Sequence, residues 1–219
     1  MKKILYSLTI AFGLSCIAIA PVSSKAIADS SHFGVAPPAC EGETQLALNI
    51  CASRWAKTAD FLRSLIYEEI YSQIPEARKS QLKAIEQTWT SYRDIHCQEL
   101  SAPTRGGSIY ALLKLSCRAM VTNDRIVDLQ INNDWIADLS GKKIFQLTSD
   151  VTTQHLAEIL NQRQNRKNSS GQRQWLLYQA QHCQFESLPS TEPAKSLKQC
   201  RDRLAEGRLR QIEAMTLAR

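Results

Sequence analysis

Glycine and proline are scarce. The chain of 219 residues has 8 Gly and 7 Pro, too few breaks for a many-turned β architecture. Aromatic residues make up only 7% of it. No stretch alternates apolar and polar residues for long enough to require a sheet. After residue 20 no apolar run approaches the roughly 20 residues that a membrane span needs. Catalytic signatures are missing as well: there is no G-x-S-x-G, no P-loop and no H-E-x-x-H. Adjacent acids such as Glu68 and Glu69 would point to different sides of a helix, which is wrong for acid–base work. These absences favour an all-α fold and exclude a recognisable enzyme or a bound cofactor.

The long apolar run that does exist lies at the front. Lys2 and Lys3 precede it, it extends from Ile4 to Ala20, and Ala26-Ile27-Ala28 supplies small residues for a cut before Asp29. Residues 1–28 therefore read as a secretory signal, and the mature protein as periplasmic or secreted. The alternative is a lipoprotein cut before Cys16. Removing the signal takes away Lys2, Lys3 and Lys25 and no acid, leaving 24 basic and 21 acidic residues. A net +3 on about 190 residues, without a clustered basic face, argues against nucleic acid as a partner.

Six cysteines remain after Cys16: Cys40, Cys51, Cys97, Cys117, Cys183 and Cys200. An even number behind a secretory signal reads as a disulfide framework. An internal repeat narrows the pairing. Trp89, Tyr92, His96, Cys97 and Gln98 recur at identical offsets as Trp175, Tyr178, His182, Cys183 and Gln184. Each set runs through a Pro-containing loop to another cysteine. The second set holds only two cysteines, which gives Cys183–Cys200. The same geometry gives Cys97–Cys117 and leaves Cys40–Cys51. A crossed pairing among Cys40, Cys51, Cys97 and Cys117 is the alternative.

Helical spacing dominates the chain from residue 44 onward. Leu48, Ala52, Trp55, Ala59, Leu62, Ile66 and Ile70 form a stripe that starts near Thr44 and ends at Pro75. Leu82, Ile85, Trp89, Tyr92 and His96 form a second over about 76–99. Ser101 to Gly107 reads as a loop, and Ser108 as the N-cap of a third helix carrying Leu112, Leu115, Met120 and Val127. Residues 131–150 read as a linker, with a short strand or turn at Lys143–Leu147. A helix from about Val151 comes next, then a break over Asn168–Gly171, a helix with Trp175, Tyr178 and His182, and a last helix to about Thr216.

Three motifs then carry a family resemblance. Thr44-Gln45-x-x-Leu48-Asn49-x-Cys51, Trp89-x-x-Tyr92-Arg93-Asp94-x-x-Cys97, and Gly106-Gly107-Ser108 followed by Cys117 occur in this order over about residues 40–130. They resemble the motifs of the LprI-like lysozyme-inhibitor domain family. The resemblance implies a bacterial exported protein, a disulfide-bonded helical fold, and inhibition of a lysozyme or another cell-wall lytic enzyme. The second set has Gln179-Ala180 where Arg93-Asp94 stand, so residues 151–219 read as a degenerate second unit beside the domain at 43–130. Residues 29–42 form a leader. The other reading of the chain is a non-catalytic adaptor of the cell envelope.

Four residues are candidates for partner binding. Arg105 and Ser108 lie in a polar loop held by a disulfide hairpin, where they could pair with the two carboxylates that line a muramidase cleft. Arg93 and Asp94 could form a recognition pair, or a salt bridge to a neighbouring helix. Trp89, Tyr92, Trp175 and Tyr178 have the spacing of core residues. His96 and His182 each adjoin a cysteine, but those sulfurs go first to disulfides, so no metal site is expected.

Overall fold

A computed structural model describes residues 34–130 and 169–217, with side chains to residue 212. The signal segment 1–28 with Cys16, the expected strand or turn at Lys143–Leu147 and the helix from Val151 lie outside the described residues. Five α-helices follow in order: α1 (Gln45–Gln73), α2 (Glu76–Ser101), α3 (Tyr110–Gln130), α4 (Ser170–Ser187) and α5 (Pro193–Leu217). The described residues contain no strand. The fold is all-α.

Local chemistry sets the helix ends. Thr44 caps α1, its Oγ1 accepting a hydrogen bond from Ala47 N at 3.2 Å. Pro75 ends α1 by forcing Ile74 into extended backbone, φ −79° and ψ 152°. Glu76 then opens α2 with a negative charge at the positive end of the helix dipole. Between α2 and α3 the chain makes a 3-10 turn at Ala102–Thr104, and Gly106 stands after it in the left-handed region at φ 85°. Ser108 does not begin the third helix, which starts at Tyr110. Ser169 caps α4 through a bond from Gln172 N at 3.1 Å. Gly171 thus lies inside a helix, not in a break. Proline opens α5 at Pro193, where its missing N–H costs nothing.

Helix α1 packs on α3, α2 packs on both α3 and α4, and α4 packs on α5. Small residues let α1 and α3 approach: Ala52, Ala56 and Ala59 on one side, Ala119 on the other, are all buried. One core cluster joins Trp89, Tyr92 and Val121 to Trp175, Tyr178, Leu204 and Ile212. A second gathers Ile66, Ile70, Leu82, Ile126 and Leu129. The buried face of α3 carries Cys117, Val121, Arg125 and Leu129, whereas Met120 is 40% exposed. The apolar spacing that places Met120 inward has the face of this helix turned.

The segment before α1 is tied down. Trp55 Nε1 donates to Val35 O at 2.7 Å, and the Asn123 amide bonds both Val35 N (2.7 Å) and Val35 O (3.0 Å). Three disulfides complete the frame: Cys40–Cys51, Cys97–Cys117 and Cys183–Cys200. The latter two each close a helical hairpin, α2–α3 and α4–α5. Replacing Cys97 and Cys117 together by Ser should therefore lower stability by about 3 kcal/mol, the entropy of closing a loop of this size. Urea unfolding of the variant against the oxidised wild type measures this.

Candidate functional site

The middle of the molecule is a polar seam between the two hairpins. Four rings lie along it in the order His96, Tyr92, Tyr178, His182. The tyrosine rings are 6.2 Å apart and within 5° of parallel, and each tyrosine stacks on the histidine one turn along its helix. Two buried guanidinium groups flank the stack. Arg125 on α3 donates from Nε to Glu86 Oε1 at 2.7 Å, and from Nη2 to the same oxygen. Its Nη1 reaches across to Tyr178 Oη at 3.0 Å and His182 Nδ1 at 3.2 Å. Arg208 on α5 donates from Nε to Gln172 Oε1 at 3.0 Å. Its Nη1 reaches across the other way, to Tyr92 Oη at 3.2 Å and His96 Nδ1 at 3.1 Å.

The tyrosine hydroxyls pass the pattern on. Tyr178 Oη donates to Asp128 at 2.9 Å, and Tyr92 Oη donates to Gln211. Gln211 in turn donates to Asp124 at 2.6 Å. Arginine is a donor only, so the ring nitrogen it faces must carry a lone pair. His182 is therefore assigned as neutral with Nδ1 unprotonated, whereas Arg208 Nη1 lies beside both ring nitrogens of His96, 3.1 Å from Nδ1 and 3.4 Å from Nε2. Burial, and then the charge of Arg125, pushes the His182 imidazole below its usual range. Burial also pushes the Tyr92 hydroxyl up to about 12 and the Asp124 carboxyl up to about 6. For Arg125, burial acts against the charge, but Glu86, Tyr178 and Asp128 outweigh it and the pKa is raised. The seam is thus a fixed, charge-retaining network. It offers no accessible nucleophile among the described residues.

Arg93 and Asp94 belong to a second network. Arg93 is buried beside the Trp89 ring, with Nη1 2.6 Å from Asp60 and Nε 3.0 Å from Asp94. Arg118 lies 3.5 Å from Asp60. These groups tie α1, α2 and α3 together, and Arg93 has no face left for a partner. Asp94 is half-exposed. In the second hairpin Gln179, at the position of Arg93, donates to the Arg201 carbonyl at 3.1 Å instead.

Arg105 and Ser108 lie in the α2–α3 turn, at one end of the molecule, and both are exposed. The turn is fixed from both sides. Thr104 Oγ1 donates to Ser101 O at 2.8 Å, and Asn49 of α1 donates to Ser108 O at 3.1 Å. Gln45 holds Asn49 in turn, at 3.0 Å. No ion pair among the described residues engages Arg105. Exposed Leu46, Ile50 and Ile109 flank the Asn49–Ser108 bond. His182, Glu186 and Cys200 bring potential metal-ligating atoms within 4.8 Å of one another. The Cys200 sulfur is already bonded to Cys183, and Glu186 already holds Arg203 at 2.6 Å, so this group does not suit a metal.

Residues 38–129 match the model of the family described as Lysozyme inhibitor LprI. This stretch of the chain is an LprI-like domain. It takes in Cys40–Cys51, Cys97–Cys117, the Arg93 network and the α2–α3 turn, and it stops at the end of α3. The chain is also similar to an uncharacterized protein of Rhizobium meliloti (strain 1021), 26% identical over a 107-residue alignment that covers 43% of this chain and 77% of the relative. No solved structure matches the chain. The LprI-like domain and the three disulfides fit an exported protein, and no helix among the described residues is long and apolar enough to cross a membrane.

Glu186 sets part of the acid stability. Burial would raise its carboxyl, but His182 and Arg203 outweigh burial and bring it down to about 2 from the usual 4.5. A depressed carboxyl stabilises the fold above its unfolded pKa and loses that contribution as pH falls toward the folded value. Urea unfolding stepped from pH 7 to pH 2 should show wild type losing on the order of 2–3 kcal/mol from this group below pH 4.5. Glu186→Gln should start lower at pH 7 and converge with wild type near pH 2.

Proposed function

We propose that the protein is an exported, non-catalytic inhibitor that docks its α2–α3 turn into the cleft of a lysozyme or related muramidase. One observation supports the reading above the rest: in an LprI-like domain, an exposed arginine with no ion-pair partner among the described residues stands on a turn closed by a disulfide. Muramidase clefts hold two carboxylates astride the scissile bond. A guanidinium matches such groups with charge-assisted, two-pronged hydrogen bonds. The turn is braced by Cys97–Cys117, by its own 3-10 bonds and by Asn49, so little ordering entropy is lost on docking. The Ser108 hydroxyl stands beside it as a second donor.

The corresponding turn of the second hairpin carries no cation. It runs from Leu188 to Glu192, and Glu192 is paired with Lys195 at 2.8 Å. A turn without a cation offers cleft carboxylates no charge-assisted hydrogen bond, so each chain presents one inhibitory end. Secretion follows from the signal-like residues 1–28, with the mature start near Asp29 and a periplasmic or extracellular destination.

The test is lysis of peptidoglycan by an animal lysozyme and by a bacterial lytic enzyme, titrated with oxidised mature protein. Inhibition should reach its end point near one chain per enzyme. Arg105→Ala should weaken it roughly ten- to a hundredfold, the worth of a hydrogen bond to a charged group. Because Arg105 is exposed, the thermal unfolding of this variant should match wild type. If a helical, oxidised protein inhibits neither enzyme, the inhibitor reading is wrong and the envelope adaptor takes its place.

A further inference from the structure

The family domain ends with α3, yet its most deeply buried ring face does not close on itself. Trp89, Tyr92 and His96 are sealed by α4 and α5, which lie beyond the family match. The residues that seal it stand at matching positions. Arg125 lies eight residues after Cys117, and Arg208 eight after Cys200. Glu86 lies three before Trp89, and Gln172 three before Trp175. Asp128 and Gln211 each lie eleven after the second cysteine of their hairpin. The bonds match as well. Each arginine holds the Glu or Gln of its own hairpin and crosses to the Tyr and His of the other. Each tyrosine hydroxyl crosses to the residue eleven after the other hairpin's cysteine.

We propose that the α4–α5 hairpin occupies the place of a second copy of the α2–α3 hairpin. The Tyr92 face of the LprI-like domain is then a self-association surface, closed here from within, and the mature chain is a monomer. Two first hairpins have what a symmetric seam needs. Each Arg125 would keep its own Glu86 and cross to the other copy's Tyr92 and His96, and each Tyr92 hydroxyl would meet the other copy's Asp128. One partner changes kind: Asp124, which accepts from the Gln211 amide here, would face the other copy's Asp128, and the two carboxyls would have to hold one proton between them. The inference rests on the seam alone and holds whether or not the chain inhibits a muramidase.

Charge at Gly171 offers a wedge that leaves the first hairpin intact. A side chain there would meet Glu99, whose Oε2 stands 2.7 Å from the place of a Cβ, whereas the matching residue of the first hairpin is the uncharged Ile85. Gly171→Glu should therefore drive α4 from α2 by repulsion and open the Tyr92 face. Light scattering coupled to size exclusion should find the wild type monomeric. It should find Gly171→Glu dimeric in a concentration-dependent way, and Gly171→Glu with Arg125→Ala monomeric again. A dimeric wild type overturns the proposal, as does a Gly171→Glu chain that stays monomeric with its helicity intact. Should Gly171→Glu fail to fold by circular dichroism, Arg208→Glu, which takes the guanidinium from Tyr92 and His96, is read by the same scattering measurement, and a folded monomer there overturns the proposal.

Discussion

Two buried guanidinium groups govern how this protein is put together. Taking an arginine out of water costs several kcal/mol unless charge and hydrogen bonds replace the hydration. Arg125 meets that demand with Glu86, which also accepts from Arg63 at 2.7 Å, and with Tyr178 and His182 across the seam. Arg208 meets it with side chains that carry no negative charge: Gln172, Tyr92, His96 and Gln211. Neither can be satisfied by one hairpin alone. A purely apolar seam would let one hairpin slide on the other at small cost. Two guanidinium forks aimed in opposite directions accept a single register.

The rest of the architecture depends on fixing that register. None of the three disulfides joins one hairpin to the other, so the covalent framework leaves the relation of the halves to the seam. Gly171 belongs to the same arrangement: without a side chain it leaves room on α4 for Glu99 and the His96 backbone of α2. Helix α1 has a different task. It braces α3 through alanines, supplies Asp60 to Arg93 and Arg63 to Glu86, and pins the α2–α3 turn through Asn49.

Helical class, the limits of α1 and α2, and the inward rings are legible in the sequence, because cap residues, prolines and apolar spacing act locally. The repeated Trp, Tyr, His and Cys are legible too. The arginines that complete the repeat do not stand out, although both lie eight residues after a cysteine. A charged residue on a helix reads as solvated until something shows what lies opposite it, and what lies opposite Arg125 is Tyr178, 53 residues away. The same blindness puts Met120 inside. Spacing orients a helix toward its own hairpin, and α3 must satisfy α1, α2 and the second hairpin together. Arg93 and Asp94 read as a salt bridge to a neighbouring helix more readily than as a recognition pair, and Arg93 lies against Asp60, Asp94 and Trp89.

Near-symmetry in the seam and asymmetry at the ends then bear on each other. At the seam the second hairpin carries amides, Gln172 and Gln211, where the first carries the carboxylates Glu86 and Asp128. Each amide keeps the acceptor oxygen that the pattern requires and discards the charge. A hairpin kept for its own recognition surface would be expected to retain the features of the exposed turn. Instead its turn has Thr191 at the offset of the outward cation Arg105, and Gln179 where the first has the Arg93 anchor. Fidelity lies where the second hairpin touches the first and is lost where it faces outward. That distribution is what a built-in substitute subunit requires, with recognition left to the end of the molecule that α1 supports.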